Sequence, residues 1–283
     1  MNEIDDPDLE VTVKIHQVRK RCKKLRGLLR LVRPVFDDFG AENASFRDAA
    51  RLLSDVRDKR SLILAYDDVT AQFGDQIDRR AFAPIRARLT RDSRKVLEDP
   101  DTRTRLQKFR HEMDVARDRM RTWTLDKNDF DAIADGIGKT YKRARKRMQD
   151  AWSDRDDETM HAWRKRVKYH WYHARLLGDA VPEMMGPQAD AADELSDLLG
   201  DYQDLAVLDA RLHDAQQDFG TATDIEAFRA LIKQRKEALA EAAFLLGRQS
   251  LAERRKARVK RWRGYWKAWE TGKAGSDLLI VKP

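Results

Sequence analysis

The chain of 283 residues lacks most of what would fasten a small secreted domain or carry a segment through a membrane. It has a single cysteine, Cys22, so neither an internal disulfide nor a multi-cysteine metal site can form. Its longest run without a formal charge is six residues, as at Ser61–Tyr66 and Tyr169–Ala174. A membrane-spanning helix needs roughly 20 mostly apolar residues, and a secretory signal needs an apolar stretch of roughly 7–15. The stretch Met1–Glu10 is acidic where such a signal is basic. The expectation is a cytoplasmic protein with no membrane partner. Glycine and proline are scarce, at 13 and 7 residues, and no segment alternates β-branched residues with period two.

The absence that carries most information is local. Four windows, 11–36, 136–149, 159–178 and 254–269, contain no carboxylate and hold 28 basic residues in 76 positions. The other 207 positions carry 29 basic and 49 acidic residues, so the net charge of +8 is the remainder of two opposed distributions. A segregated charge of this kind suits a lined groove for a polyanion, with an acidic exterior that maintains solubility.

What is present is helical periodicity. Phe46, Ala49, Ala50 and Leu53 recur with a period near 3.6, as do Leu195, Leu198 and Leu199. Breaks fall after the basic run at Pro34 and at connections marked by Pro100, Pro182 and Pro187, while Pro84 suits the opening of a helix. A weak repeat accompanies the periodicity. Ile15–Lys23 matches Met160–Lys168 at an offset of 145, and Arg30 and Arg175 keep it. The expected fold is all-α, with two helical bundles related by internal duplication about a pseudo-two-fold axis, around a basic central channel. The boundaries follow: one domain over residues 8–270, with halves of about 8–127 and 128–270, and a C-terminal tail at 271–283.

At 100° per residue, His16, Arg19, Lys20, Lys23, Arg26 and Arg30 share one arc of a helix. Ile15, Val18, Cys22, Leu25, Leu29 and Val32 form the adjoining apolar arc. The second copy places His161, Arg164, Lys165, Lys168, Tyr172 and Arg175 on the equivalent face. Like charges at i,i+3 and i,i+4 repel by about a few tenths of a kcal/mol per pair, and an extended polyanion relieves that repulsion through charge-assisted hydrogen bonds. Three other chemistries find little support. His161, His170 and His173 share a helix but lie among cations that repel a metal, so no metal and no cofactor are expected. There is no G-x-S-x-G, no P-loop and no dinucleotide-binding glycine pattern. Asp67/Asp68 and Asp156/Asp157 read as exposed helix-end charges, and Trp262, Trp266 and Trp269 as packing residues, with base stacking as the rival role for the tryptophans.

These residues resemble the conserved-histidine α-helical domain family, CHAD. His16, Arg19, Lys23, Lys24, Leu25 and Arg26 resemble its opening motif H-x-x-R-x-x-x-[KR]-[KR]-L-R, and His161, Arg164, Lys165, Arg166 and Lys168 resemble H-x-x-R-K-R-x-K. Tyr141, Lys142, Arg143, Ala144 and Arg145 resemble the family's Tyr-x-[KR]-[AG]-R, and Leu199-Gly200 with Gln203-Asp204-Leu205 and Val207 resemble L-G-x-x-N-D-x-x-V. The sequence departs from the pattern at Arg60, which replaces the second Asp of an R-D-x-D turn, and at Tyr169 and Trp171, which replace basic residues of the first copy. Thr12 interrupts the E-x-E-x-K mark of the triphosphate-processing domain to which the family is often fused.

The resemblance implies a stand-alone, non-enzymatic module that binds inorganic polyphosphate, with polyphosphate-granule proteins as further partners and polyphosphate granules as its place in the cytoplasm. His16, Arg19, Lys20, Lys23, Arg26, Arg30, Arg143, Arg147, His161, Arg164, Lys165, Lys168, Tyr172 and Arg175 are the expected binding residues. The residues alone leave two alternatives open: a nucleic-acid-binding helical protein, and a phosphate-processing enzyme.

Overall fold

The computed structural model describes residues 4, 6, 8–214 and 218–279, without the side chains of 55–58 and 273–279. Among these residues there are ten α-helices and no strand. They are α1 (Val11–Val32), α2 (Phe39–Arg51), α3 (Ser54–Gln72), α4 (Arg79–Glu98), α5 (Asp101–Arg119), α6 (Asp129–Asp154), α7 (Asp157–Gly178), α8 (Pro182–Asp214), α9 (Ala222–Ser250) and α10 (Arg255–Leu279). The fold is all-α, as expected. No described helix is long and apolar enough to cross a membrane.

Local chemistry sets the helix ends. Pro34 cannot donate a backbone hydrogen bond, and α1 gives way there to a single 3-10 turn, Arg33–Val35. The Asp78 carboxylate accepts from the N–H of Arg80 and caps α4. Asp156 caps α7, accepting from the Thr159 N–H at 2.7 Å and the Thr159 hydroxyl at 2.8 Å. These bonds hold its carboxyl below the usual carboxylate range, so Asp156 is the helix-end charge that its pairing with Asp157 suggested. Asp67 and Asp68 differ from that reading. Both lie inside α3, where Arg86 grips Asp67 and Arg235 grips Asp68 in two-pronged hydrogen bonds of 2.7–3.1 Å. Pro84 does not open its helix and Pro187 does not mark a connection: each is the sixth residue of a helix, where it removes one donor without ending the helix. The segment expected as a tail is helical as far as Leu279. The Arg57 and Asp58 side chains and residues 280–283 lie outside the described residues.

The chain forms two compact units. The first comprises residues 1–26, 41–122 and 198–242, and the second 27–40, 123–197 and 243–283. Neither coincides with the sequence halves 8–127 and 128–270, because each unit draws on three separate stretches.

In the first unit the apolar face of α1 (Ile15, Val18, Cys22) packs on Ala49, Leu53, Leu106 and Phe109. Burial raises the Cys22 thiol to about 11, which leaves it unreactive. Tyr66 and Phe82 meet the Phe228 ring at 5.0 and 5.1 Å. A buried charge here is matched. Glu42 is buried, and Arg119 grips both its carboxylate oxygens at 2.8 and 3.0 Å and the Ser45 hydroxyl at 2.9 Å.

In the second unit Leu31, Phe130, Ile137, Ala174, Leu177, Met185 and Trp262 form the core. A polar knot at its edge centres on Gln188, whose side-chain oxygen accepts from Arg258 at 2.8 Å and from the Trp262 indole at 3.1 Å. Arg258 is itself buried, paired with Glu253 at 2.8 Å and laid over the Tyr141 ring. Trp266 leans on Phe130 and Trp269. The three tryptophans thus make packing contacts.

Removing one partner of a buried ion pair leaves an uncompensated charge and costs about 3 kcal/mol or more. Arg119→Met is therefore expected to lower the unfolding free energy by about that amount, and adding Glu42→Leu to recover most of it. Urea unfolding of the two variants measures both effects. A single variant as stable as the wild type would contradict the role given to the pair.

Candidate anion-binding site

Two backbone approaches build the site in the second unit. A Cβ on Gly136 of α6 would lie 1.7 Å from the Leu31 carbonyl oxygen of α1, so only glycine lets α6 come this close. A Cβ on Gly27 of α1 would lie 2.9 Å from the Tyr172 ring of α7. The Gly27 carbonyl also accepts the Nε2–H of His173 at 2.9 Å, a bond buried in the core. Burial pushes His173 down to about 4, and burial with the nearby Arg258 pushes His170 down to about 3, so both rings are neutral. Neutral His173 donates from Nε2, which fixes its tautomer.

With the three helices held in this way, the basic residues just past the contacts face one cavity of about 190 Å³. Its walls are Arg30 and Arg33 at the end of α1, Lys139 and Arg143 one turn apart on α6, and Arg166 and Tyr169 one turn apart on α7. Pro34 and Thr140 complete the lining, and no carboxylate takes part. Each pair of cations or ring residues comes from a different carboxylate-free window, 11–36, 136–149 or 159–178.

The electrostatics of the cavity are those of an incomplete ion pair. Among the described residues Arg33, Lys139, Arg143 and Arg166 make no salt bridge, whereas three of the five carboxylates of α6 are engaged elsewhere: Asp131 with Arg263, Asp135 with Arg255 and Asp150 with Arg147. Arg30 lies 4.1 Å from the centre of the Tyr169 ring and Arg33 lies 4.7 Å from that of Phe39, so ring contacts help to position both guanidinium groups. Arg166 is half-buried, and its pKa is pulled below the ordinary value by burial first and then by the charges of Arg143, Arg147 and Arg33. A guanidinium under that pressure is stabilised by any anion that enters.

Of the expected binding residues, Arg30 and Arg143 line this cavity. Arg147 acts on it through its charge while pairing with Asp150 at 3.0 Å. His161 and Arg164 are half-buried nearer the start of α7, and Lys165 is exposed. Lys165 is held below its ordinary pKa by partial burial and the repulsion of Arg166 and Arg164. Lys168 is engaged with Asp193 at 3.9 Å, Asp197 at 3.8 Å and the Trp171 ring at 4.0 Å. Tyr172 is buried against Gly27, and burial raises its hydroxyl to about 12. Arg175 is exposed near the Trp171 ring.

The remaining five belong to the first unit. Arg19 donates to the Ala50 carbonyl and the Ser54 hydroxyl, and Arg26 to Asn43 at 3.2 Å. His16 borders a separate cavity of about 340 Å³ with Arg60, Ser61 and Asp204, while Lys20 is exposed and Lys23 half-buried.

Arg33, Lys139, Arg166 and Tyr169 were not singled out as candidates in the sequence. Arg166 lies about 140° from His161 on a helical projection and so falls off the arc that the histidine defines. The usable signal was the carboxylate-free window itself, which contains each of the three cations. Among the described residues no group of three or more His, Cys, Asp or Glu side chains is placed to hold a metal ion.

The chain is thus an all-α protein with a cationic cavity, lined by no carboxylate, at the end of its first long helix. A family model, that of the CHAD domain, matches residues 8–213, and the chain belongs to that family. The match takes in α1–α7 and nearly all of α8, whereas α9 and α10 lie beyond it. No curated protein and no solved structure matches the chain.

Two outcomes follow from these electrostatics. Arg166→Met keeps the stem and removes the most crowded charge, so it is expected to raise the thermal midpoint of the free protein by a few degrees; a lower midpoint would contradict the repulsion described here. His170 and His173 stay neutral in the folded chain but take up protons near the ordinary histidine value of 6.5 once unfolded. Their stabilisation is thus present above pH 6.5 and is lost as pH falls towards 4, by about 2 kcal/mol per histidine between pH 7 and 5. Denaturant unfolding at the two pH values checks this, and equal midpoints would contradict it.

Proposed function

We propose that the protein binds inorganic polyphosphate, holding the chain by its phosphate oxygens in the cationic cavity of the second unit. One observation carries the reading: five cations converge on a space that no carboxylate lines, and four of them lack a salt bridge among the described residues. Membership of a family associated with polyphosphate binding supports it. Guanidinium edges and ammonium groups match phosphate oxygens through charge-assisted hydrogen bonds, and the aromatic ring in the lining, Tyr169, already carries Arg30 over it at 4.1 Å, which favours a bare phosphate chain over a stacked base.

In this reading the chain is a binding module and not an enzyme, because the lining offers no carboxylate to hold a divalent ion for phosphoryl transfer. Arg30, Arg33, Lys139, Arg143 and Arg166 make the first contacts. Arg147, His161, Arg164, Lys165 and Arg175 extend the cationic surface of the second unit, and His16, Arg19, Lys20, Lys23 and Arg26 offer phosphate a cationic surface of the first unit's own. Its setting is the cytoplasm, at polyphosphate granules.

Lys139 and Arg143 are exposed, so replacing both by Ala should leave the fold intact. Fluorescence anisotropy with labelled long-chain polyphosphate is expected to show at least a tenfold loss of affinity for this variant. Affinity should also fall about a hundredfold in the wild type between 50 and 200 mM salt, given about five displaced counterions, and should stay level from pH 5.5 to 8.5 if the arginines and lysines dominate. Unchanged affinity in the double variant, or equal displacement of polyphosphate by an oligonucleotide at the same phosphate concentration, would overturn the proposal.

A further inference from the structure

The first unit carries a second basic surface of different character. α3 and α4 run antiparallel: the Arg79 side chain lies against Gly74, just past the end of α3, whereas Arg86, seven residues further along α4, bonds to Asp67, seven residues back. Between them lies an open groove of about 590 Å³. Its floor is made of small residues: Ala83, Ala87 and Thr90 on α4 at i, i+4 and i+7, facing Thr70 on α3. Arg79, Arg91 and Arg94 stand along the rim, exposed and without a salt bridge among the described residues. Arg86, tied to Asp67 by two hydrogen bonds, closes one wall.

This combination selects against a bare polyanion. A phosphate chain has no apolar face with which to cover the alanine floor. Nucleic-acid bases would find no ring to stack on either, because Tyr66 is buried and its hydroxyl is spent on the Phe82 carbonyl. A helix with one apolar and one acidic face satisfies both parts. Small floor residues let a third helix approach closely, and Arg79 to Arg94 span about 22 Å along α4, enough for four turns. Its carboxylates would then reach the rim arginines on either side.

We propose that the groove between α3 and α4 docks an acidic amphipathic helix of a partner protein. This is independent of the polyphosphate site, which lies in the other unit, and gives the module a means of bringing a second protein to its anion.

The test uses the full-length chain and a labelled synthetic peptide of about 20 residues, with Leu at helical spacing on one face and Glu elsewhere. A control peptide has the same composition rearranged so that no apolar face forms. Binding is followed by fluorescence anisotropy for the wild type, for Arg91→Glu with Arg94→Glu, for Ala87→Trp, and for Lys139→Ala with Arg143→Ala. The proposal requires the amphipathic peptide to bind at least tenfold tighter than the control, with at least a tenfold loss in both groove variants and none in the Lys139/Arg143 variant. Charge reversal and groove filling act through different physics on exposed positions, so a shared loss is not a folding defect. Equal binding of the two peptides, or wild-type binding by either groove variant, would overturn it. So would groove variants that lose polyphosphate or oligonucleotide affinity in place of peptide affinity, and so would concentration-dependent self-association in sedimentation that the same variants abolish, since the occupant would then be a second copy.

Discussion

Two close backbone approaches govern the second unit. Gly136 brings α6 against the Leu31 carbonyl, and Gly27 brings α1 against Tyr172 on α7. Neither contact involves a charge, yet together they decide where five charges go. With the three helices pinned at those points, Arg30, Arg33, Lys139, Arg143 and Arg166 have no choice but to share a cavity. The repulsion this creates is borne by the apolar packing beneath, where Leu31, Ile137, Ala174 and Trp262 are buried. At about 25 cal/mol per Å², burying about 100 Å² of apolar surface stabilises by about 2.5 kcal/mol, against about a few tenths of a kcal/mol lost per like-charge pair.

The first unit solves the same problem differently, which makes the cavity informative. There Glu42 receives Arg119, Asp68 receives Arg235, and Asp209 receives Arg229. Arginine is as common in that unit, and carboxylates meet it at these packed positions, whereas Arg79, Arg91 and Arg94 stand exposed on the α3–α4 groove. In the second unit Asp131, Asp135 and Asp150 of α6 are turned to Arg263, Arg255 and Arg147, while no carboxylate lines the cavity. A charge left unmatched in a half-buried position has a cost that binding an anion removes. That is the physical link between the fold and the proposed function.

Periodicity made the helices legible, and the resemblance that identified the family rested on motifs spread from α1 to α8. The apolar arc of Ile15, Val18, Cys22 and Leu29 is the buried face of α1. The site was legible in composition but not in detail. The carboxylate-free windows contain every cation of the cavity, but a projection centred on His161 favoured Lys168 and Tyr172 over Arg166. The structure places Lys168 with Asp193 and Asp197, and buries Tyr172 under Gly27. Those outcomes depend on which helix lies alongside, and a single-helix projection carries no information about neighbours. Pro84 and Pro187 were misread for a related reason: a proline near a helix start removes one donor, and tertiary packing decides whether the helix continues through it.

The most direct test of the account is where an anion comes to rest. Crystals of the full-length protein soaked in tungstate, a heavy phosphate analogue with strong anomalous scattering, would show the position without reference to affinity. The account predicts an anomalous peak enclosed by Arg30, Arg33, Lys139, Arg143 and Arg166, displaced when tripolyphosphate is added. Peaks confined to other surfaces, with this cavity holding only water, would contradict it.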